Sequence, residues 1–337
     1  MPNDDYQYDY NGIKATEIFA ITIGVISALF PLSVVFILCY RYNKLVKGKS
    51  LMEYVGMIAL SDTFTSITIA MGYPSSHSIT CRVQGFLGIF FSRLSLFYTD
   101  ALIIKLYALI RYRRYFLSNI YTHAIIWTIN IILQLLPYTT GGSYGEDDDY
   151  LNIPIVRCFI RSNGGIANAF RWDTYTIQTE QILSFCIVAF FTIMIVGYSN
   201  YISRNESTNV MLIASIYDAR STCLYYPLSM LVAYVPSTTY AHYMDNYLIK
   251  HGHFPPHGQI ITDCLLASNS LYGLFLTIIF YTKTKLARAE WYYIICSSSI
   301  DSGQISDHNN DLHVALNPIS DDEINRKPLT HRTTIEE

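Results

Sequence analysis

The sequence is short of charge. Of its 337 residues, 15% are Asp, Glu, Lys or Arg, while 51% are hydrophobic. A soluble domain carries roughly a quarter charged residues. This chain therefore lacks the polar surface to cover a water-soluble globule, and its apolar surface needs lipid. The net charge is only -3, and the basic residues gather at segment ends. That excludes an extended basic face for nucleic acid. The seven cysteines (Cys39, Cys81, Cys158, Cys186, Cys223, Cys264 and Cys296) form no CxxC pair and no zinc-type spacing, so no metal site is predicted. HExxH, GxSxG, Walker and GxGxxG signatures are all missing, so the chain does not read as an enzyme and implies no cofactor. The first seventeen residues are acidic and polar, without the basic n-region of a cleavable signal peptide.

What the chain has is long apolar runs. A helix needs about 20 mainly apolar residues to cross a bilayer core. Seven such runs are present: Ile18–Tyr40, Leu51–Tyr73, Val83–Ile110, Ile120–Tyr138, Ile182–Ile202, Cys223–Tyr240 and Ile260–Thr282. The fold class expected is all-α, a seven-helix transmembrane bundle. Residues 1–17 form the leading segment, 18–282 the bundle, and 297–337 a polar tail expected to be disordered. Between them, 283–296 reads as a short amphipathic helix on the membrane surface. Cys296 there is either a palmitoylation site or a free thiol. Tyr40, Tyr42, Tyr73, Tyr112, Tyr115, Tyr138 and Tyr281 fall at the ends of runs, as an interfacial aromatic belt or as plain compositional bias.

Loop charge sets the expected orientation. One set of loops carries Arg41, Lys44, Lys47, Lys49, Arg111, Arg113, Arg114, Arg204, Arg220, Lys283, Lys285 and Arg288. The other carries only Lys14, Arg157, Arg161, Arg171 and Lys250. The positive-inside rule puts the first set in the cytoplasm. The N-terminus and the acidic 146–149 cluster then lie outside, and the C-terminus inside. The sequon at Asn205 falls on the cytoplasmic side and is expected to stay unglycosylated. Cys81 and Cys158 both face the oxidising side, which permits a disulfide pinning the long loop over the bundle mouth.

Ionisable residues at membrane depth cost a few kcal/mol each, so each should face the interior and find a partner. They are Asp62, Arg93, Asp100, Glu180 and Asp263. Arg93 lies about 18 Å along its helix from Cys81, and Asp62 about 16 Å from Leu51. An Arg93–Asp62 or Arg93–Asp100 pair is feasible. Arg93 is then either an internal ion-pair member or a cationic fork for an anionic ligand group. Glu180 and Asp263, with Arg171, Trp172 and Asp173, are candidate lining of a ligand mouth or solvated helix ends. Asp62, Asp100, Asn269 and Ser270 form a candidate intramembrane polar switch, or interhelical glue. Pro227 and Pro236 both fall in the sixth run and predict a bent helix and hinge. No lysine lies in the middle of the seventh run, which excludes a retinal Schiff base and the opsin and light-driven pump readings.

A set of short motifs follows the order of the helices. Cys81-Arg82-Val83-Gln84-Gly85-Phe86-Leu87 opens the third run, and Leu60-Ser61-Asp62 lies in the second. Leu224-Tyr225-Tyr226-Pro227-Leu228, then Pro236, lie in the sixth, and Asn269-Ser270-Leu271-Tyr272-Gly273-Leu274-Phe275 in the seventh. This set resembles the cyclic-AMP-receptor-like family of G-protein-coupled receptors, from the second run to the seventh. Cys158 matches that family's loop cysteine. Tyr272, the Ala233-Tyr234 pair and the Trp-less flanks of Cys158 depart from its pattern near the ligand side, which argues against cyclic AMP itself as ligand.

The resemblance implies a receptor for an extracellular small molecule that activates a heterotrimeric G protein by outward movement of the sixth helix. Lys105, Arg111, Arg113, Arg114 and Arg220 would then face the G protein, or anchor to anionic lipid. Tail serines beside Asp301 and Asp307 would be phosphorylated and recruit kinase and arrestin-like partners, or stay unmodified. The alternative from another class is a small-solute transporter. The expected matching of runs one to three with five to seven is not seen.

Overall fold

The computed structural model describes residues 10–40, 50–72, 74, 78–112, 118–139, 142–145, 159–162, 179–205, 210–251, 260–261, 264–265 and 269–284. Seven helices stand among them: α1 (Tyr10–Tyr40), α2 (Ser50–Ala70), α3 (Ile79–Tyr112), α4 (Asn119–Thr139), α5 (Thr179–Asn205), α6 (Val210–His251) and α7 (Leu271–Lys283). A small antiparallel hairpin, β1 (Gly142–Gly145) with β2 (Phe159–Ser162), pairs Gly142 with Ser162 and Gly145 with Phe159. It packs against α3 and α4. The tail from 297 onward and the 285–296 segment lie outside the described residues.

Four of the helices are long and apolar enough on their own to cross a membrane: α1, α3, α4 and α5. Seven helices match the seven predicted runs in number, and four of them carry the spanning character by themselves among the described residues. Helix α2 has the length, but Glu53, Ser61, Asp62, Thr63, Thr65, Ser66 and Thr68 dilute it. Most of those polar side chains are buried: Ser61, Asp62, Thr63, Ser66 and Thr68 are each under 6% exposed. A helix whose polar groups turn inward needs lipid compatibility only on its remaining face. The described part of α7 is simply short.

Helix α3 is the hub. It packs against α2, α4, α5 and α6, while α1 and α7 close the ring from the other side of α2. Lipid tails are as apolar as leucine, so close backbone approach has to hold such helices together. The glycines show where. A methyl added to Gly24 of α1 would sit 2.7 Å from the Ala70 nitrogen of α2, and one added to Gly273 of α7 would sit 3.0 Å from the Pro31 ring of α1. The apolar core runs through Val34, Ile37, Tyr54, Ile58, Leu94, Leu102, Tyr226 and Phe280.

Helix α2 ends at a left-handed glycine, Gly72 (φ 66°). Its last carbonyls would be stranded in the bundle. Gln84 of α3 donates to both Thr68 O (2.8 Å) and Gly72 O (2.7 Å) and so caps them. Helix α6 is continuous through both Pro227 and Pro236 and is 42 residues long, far beyond the predicted 223–240 run. Around the prolines, hydroxyls turn back onto the helix: Ser229 donates to Tyr226 O, Ser237 and Thr238 to Tyr234 O, and Thr239 to Val235 O. Such back-bonding lets a helix bend where proline has removed a rung.

Candidate ligand site and the interior polar layers

The buried polar side chains fall into three layers along α3. The first lies toward the Cys81 end. Arg93 is 3% exposed, and its Nε donates to Glu180 Oε2 of α5 at 2.5 Å. Its Nη1 donates to Gln134 Oε1 of α4 at 3.0 Å, and Gln134 in turn donates to Phe86 O of α3. The Nη2 group has no hydrogen-bond partner among the described residues. Of the carboxylates within reach, neither Asp62 nor Asp100 pairs with Arg93; Glu180 does. Glu180 sits in the first turn of α5 and Gln134 near the end of α4. Arg93 is thus level with the ends of two neighbouring helices, although it is well along its own. Beside it, Thr238 of α6 donates to Gln181 of α5, and Ser237 of α6 to Asn269. Five elements meet at one level.

The second layer is built on carboxyls. Ser95 of α3 donates to Asp62 Oδ1 of α2 at 2.7 Å, and Ser184 of α5 to Asp100 Oδ1 at 2.7 Å. Thr99 and the Tyr272 hydroxyl lie 3.1 Å apart, and the Tyr272 ring meets Tyr234 of α6 edge-on at 5.8 Å. Asp62 and the Ser27 carbonyl both flank Gly273, so the small residue is what lets α7 approach them. Asn269 bonds to Ser237 rather than to Asp62, so the four predicted switch residues divide among different partners. Ser270 is buried.

The third layer lies toward the Arg111 end. Asn119 of α4 accepts from Lys105 Nζ at 2.7 Å and donates to Glu53 of α2 at 2.5 Å. His123 stacks on Tyr54, lies 3.7 Å from Glu53, and its Nδ1 is 2.9 Å from the Tyr98 hydroxyl. Trp127 donates to that same hydroxyl. Lys105 is 6% exposed and lies over the Tyr54 ring. It is part of a knot joining α2, α3 and α4. Arg111 is exposed, with its guanidinium 4.6 Å from the Tyr198 ring of α5. Lys283 of α7 similarly covers Tyr225 of α6 at 4.4 Å.

Cys81 is fully buried and disulfide-bonded. Its expected partner Cys158 lies outside the described residues, as do Trp172, Asp263, Arg113 and Arg114. Arg220 is on α6, but its side chain is outside the described set. No cluster of metal-ligating side chains occurs among the described residues. Gln134, Ser95, Ser184 and the Glu53–Asn119–His123 knot escaped the sequence reading, and Gln84 entered it only as part of a motif. The signal was present in Gln134 and Asn130, amides inside an apolar run. Both reach back to α3 carbonyls, Asn130 donating to Phe90 O at 3.1 Å.

No protein-family model matches the chain, and no curated protein matches it. Among solved structures it is similar to the crystal structure of squid rhodopsin, with a TM-score of 0.62 at 13% identity. The superposition covers 91% of this chain and 92% of that one. The fold is rhodopsin-like. The long apolar helices of this rhodopsin-like bundle make the chain a multi-pass membrane protein. Its seventh helix carries one lysine in the described part, Lys283 in the last turn.

Proposed function

We propose that the chain is a G-protein-coupled receptor that senses an extracellular small molecule and activates a heterotrimeric G protein. The observation that carries this reading is the rhodopsin-like bundle spanning nine-tenths of the chain. It is an argument by fold, so the site has to bear the rest. The ordered motif set supports kinship with the cyclic-AMP-receptor-like family and plasma-membrane residence, and the loop charges support an external N-terminus and a cytoplasmic tail open to kinase and arrestin-like partners.

In this reading the Arg93–Glu180 layer lies beneath the outer mouth, with Trp172 and Asp263 above it as further ligand contacts. A Cys81–Cys158 bridge holds the loop over that mouth. The position of β2, directly after Cys158 and packed on α3, supports the pairing. Asp62, Asp100, Asn269 and Ser270 are the residues whose hydrogen bonds exchange between two states. Pro227 and Pro236 let α6 swing outward, and Arg111, Arg113, Arg114 and Arg220 meet the G protein in the cleft that opens. A ligand shifts this equilibrium only by its differential affinity for the two states.

The test is nucleotide exchange on purified heterotrimeric G protein by the full chain in nanodiscs, basal and with a panel of small metabolites. Exchange above empty nanodiscs is the expected outcome. No exchange under any condition, with solute flux into vesicles carrying the chain, would move the assignment to a transporter.

A further inference from the structure

Hydrogen-bond polarity fixes the state of one histidine. An indole N–H can only donate, so the Tyr98 hydroxyl of α3 accepts from Trp127 of α4, at 3.0 Å. Tyr98 is fully buried, and its hydroxyl has one further partner among the described residues, His123 Nδ1 at 2.9 Å. A buried O–H is not left without an acceptor. The Tyr98 hydrogen therefore points at Nδ1. His123 is neutral and carries its own hydrogen on Nε2.

The opposite edge of the ring meets a different chemistry. Nε2 lies 3.7 Å from Glu53 Oε2 of α2, beyond hydrogen-bond length, and Asn119 donates to that oxygen. His123 thus stands between a hydroxyl of α3 that requires it neutral and a carboxyl of α2 that favours it charged. The Tyr54 ring of α2 stacks on it at 5.2 Å. Lys105 of α3 is the other charge acting on the ring, and Asn119 and the Tyr54 face hold it. Water is within reach. His123 and Glu53 are 27% and 29% exposed. His123 also lies four residues from Asn119, the first of α4, so about 6 Å inside that end.

We propose that His123 is a proton-operated switch that changes the helix to which α4 is tied. Neutral, it ties α4 to α3 through Tyr98. Protonated, it releases Tyr98 and ties α4 to α2 through Glu53. The step adds one proton, from water, to the Nδ1 lone pair, and no other covalent bond changes. Two donors then face each other, so the Tyr98 O–H turns away. The Nε2–H closes on the Glu53 carboxylate as a charge-assisted hydrogen bond, in competition with Asn119. The inference does not rest on the receptor reading, since it needs only the three packed helices.

The experiment follows Trp127 emission in the full chain in nanodiscs, from about pH 8 to about pH 5, the range in which histidine changes charge. Trp172→Phe and Trp291→Phe leave Trp127 as the one indole. The expected result is a single one-proton transition, absent in His123→Gln. Tyr98→Phe removes the group that requires a neutral ring, so the proton should bind about fivefold more tightly, the ratio one net hydrogen bond supports. Glu53→Gln should weaken proton binding severalfold. A ring that merely fills space gives no such pair of opposite shifts. Nitrogen NMR of the unprotonated state should find the His123 hydrogen on Nε2. No transition in the folded chain, a transition kept in His123→Gln, shifts of the same sign, or the hydrogen on Nδ1 would each overturn the switch.

Discussion

Arg93 brings a guanidinium into a bundle interior where it is 3% exposed, and Glu180 is what makes that tolerable. Breaking a buried pair by removing one partner is far more costly than replacing both with apolar side chains. Glu180→Ala should therefore destabilise the chain by about 3–5 kcal/mol, while Arg93→Met with Glu180→Leu recovers most of the loss. Thermal unfolding in detergent measures both. The double variant also separates two roles for Arg93. If it folds and still responds to ligand, the pair serves packing alone. If it folds and is silent, the guanidinium belongs to the ligand site. Depth along one helix placed Arg93 correctly in the interior. Its partner was not legible, because Glu180 is 87 positions away and reaches Arg93 only through the relative heights of α3 and α5.

At the scale of the helix, two devices can be tested. Gln84 closes the end of α2 by donating to two of its last carbonyls. Gln84→Leu should leave both unsatisfied and cost about 1–3 kcal/mol, read as a lower midpoint in thermal unfolding. Gly24→Leu should do as much by pushing α1 off α2, since even one methyl would meet the Ala70 backbone. The motif containing Gln84 was visible in the sequence, yet its task was not: a capping bond depends on where α2 stops. Helix α6 was legible as the proline-bearing helix but not in its length. His, Tyr, Asp, Asn and Lys past residue 240 obscure the apolar period, although the backbone stays helical to His251. Pro227→Ala with Pro236→Ala should keep the fold and lower G-protein exchange severalfold if those positions are the hinge. Unchanged exchange in that variant would place the moving part elsewhere.

For the whole molecule, orientation is the property to measure. Epitope tags at the two chain ends should be reached from opposite faces: the N-terminal tag on intact cells, the C-terminal tag only after permeabilisation. Both tags reached from one side would remove the receptor topology altogether. Cys81→Ser should reduce surface delivery or ligand response, since the hairpin following Cys158 lies against α3. Normal delivery and response in that variant would leave the bridge without a role.

The sequence by itself determined that the backbone coils into helices and that several of them cross lipid. A hydrocarbon core tolerates peptide groups only when they bond within their own segment, and the scarcity of charge left the chain no other solvent. Tertiary structure decided which buried polar group meets which. Arg93 faces Glu180, Asp62 faces Ser95, and Lys105 faces Asn119. Those choices depend on helix rotation, height and the close approaches that single glycines permit, and a one-dimensional pattern of apolar residues carries none of the three.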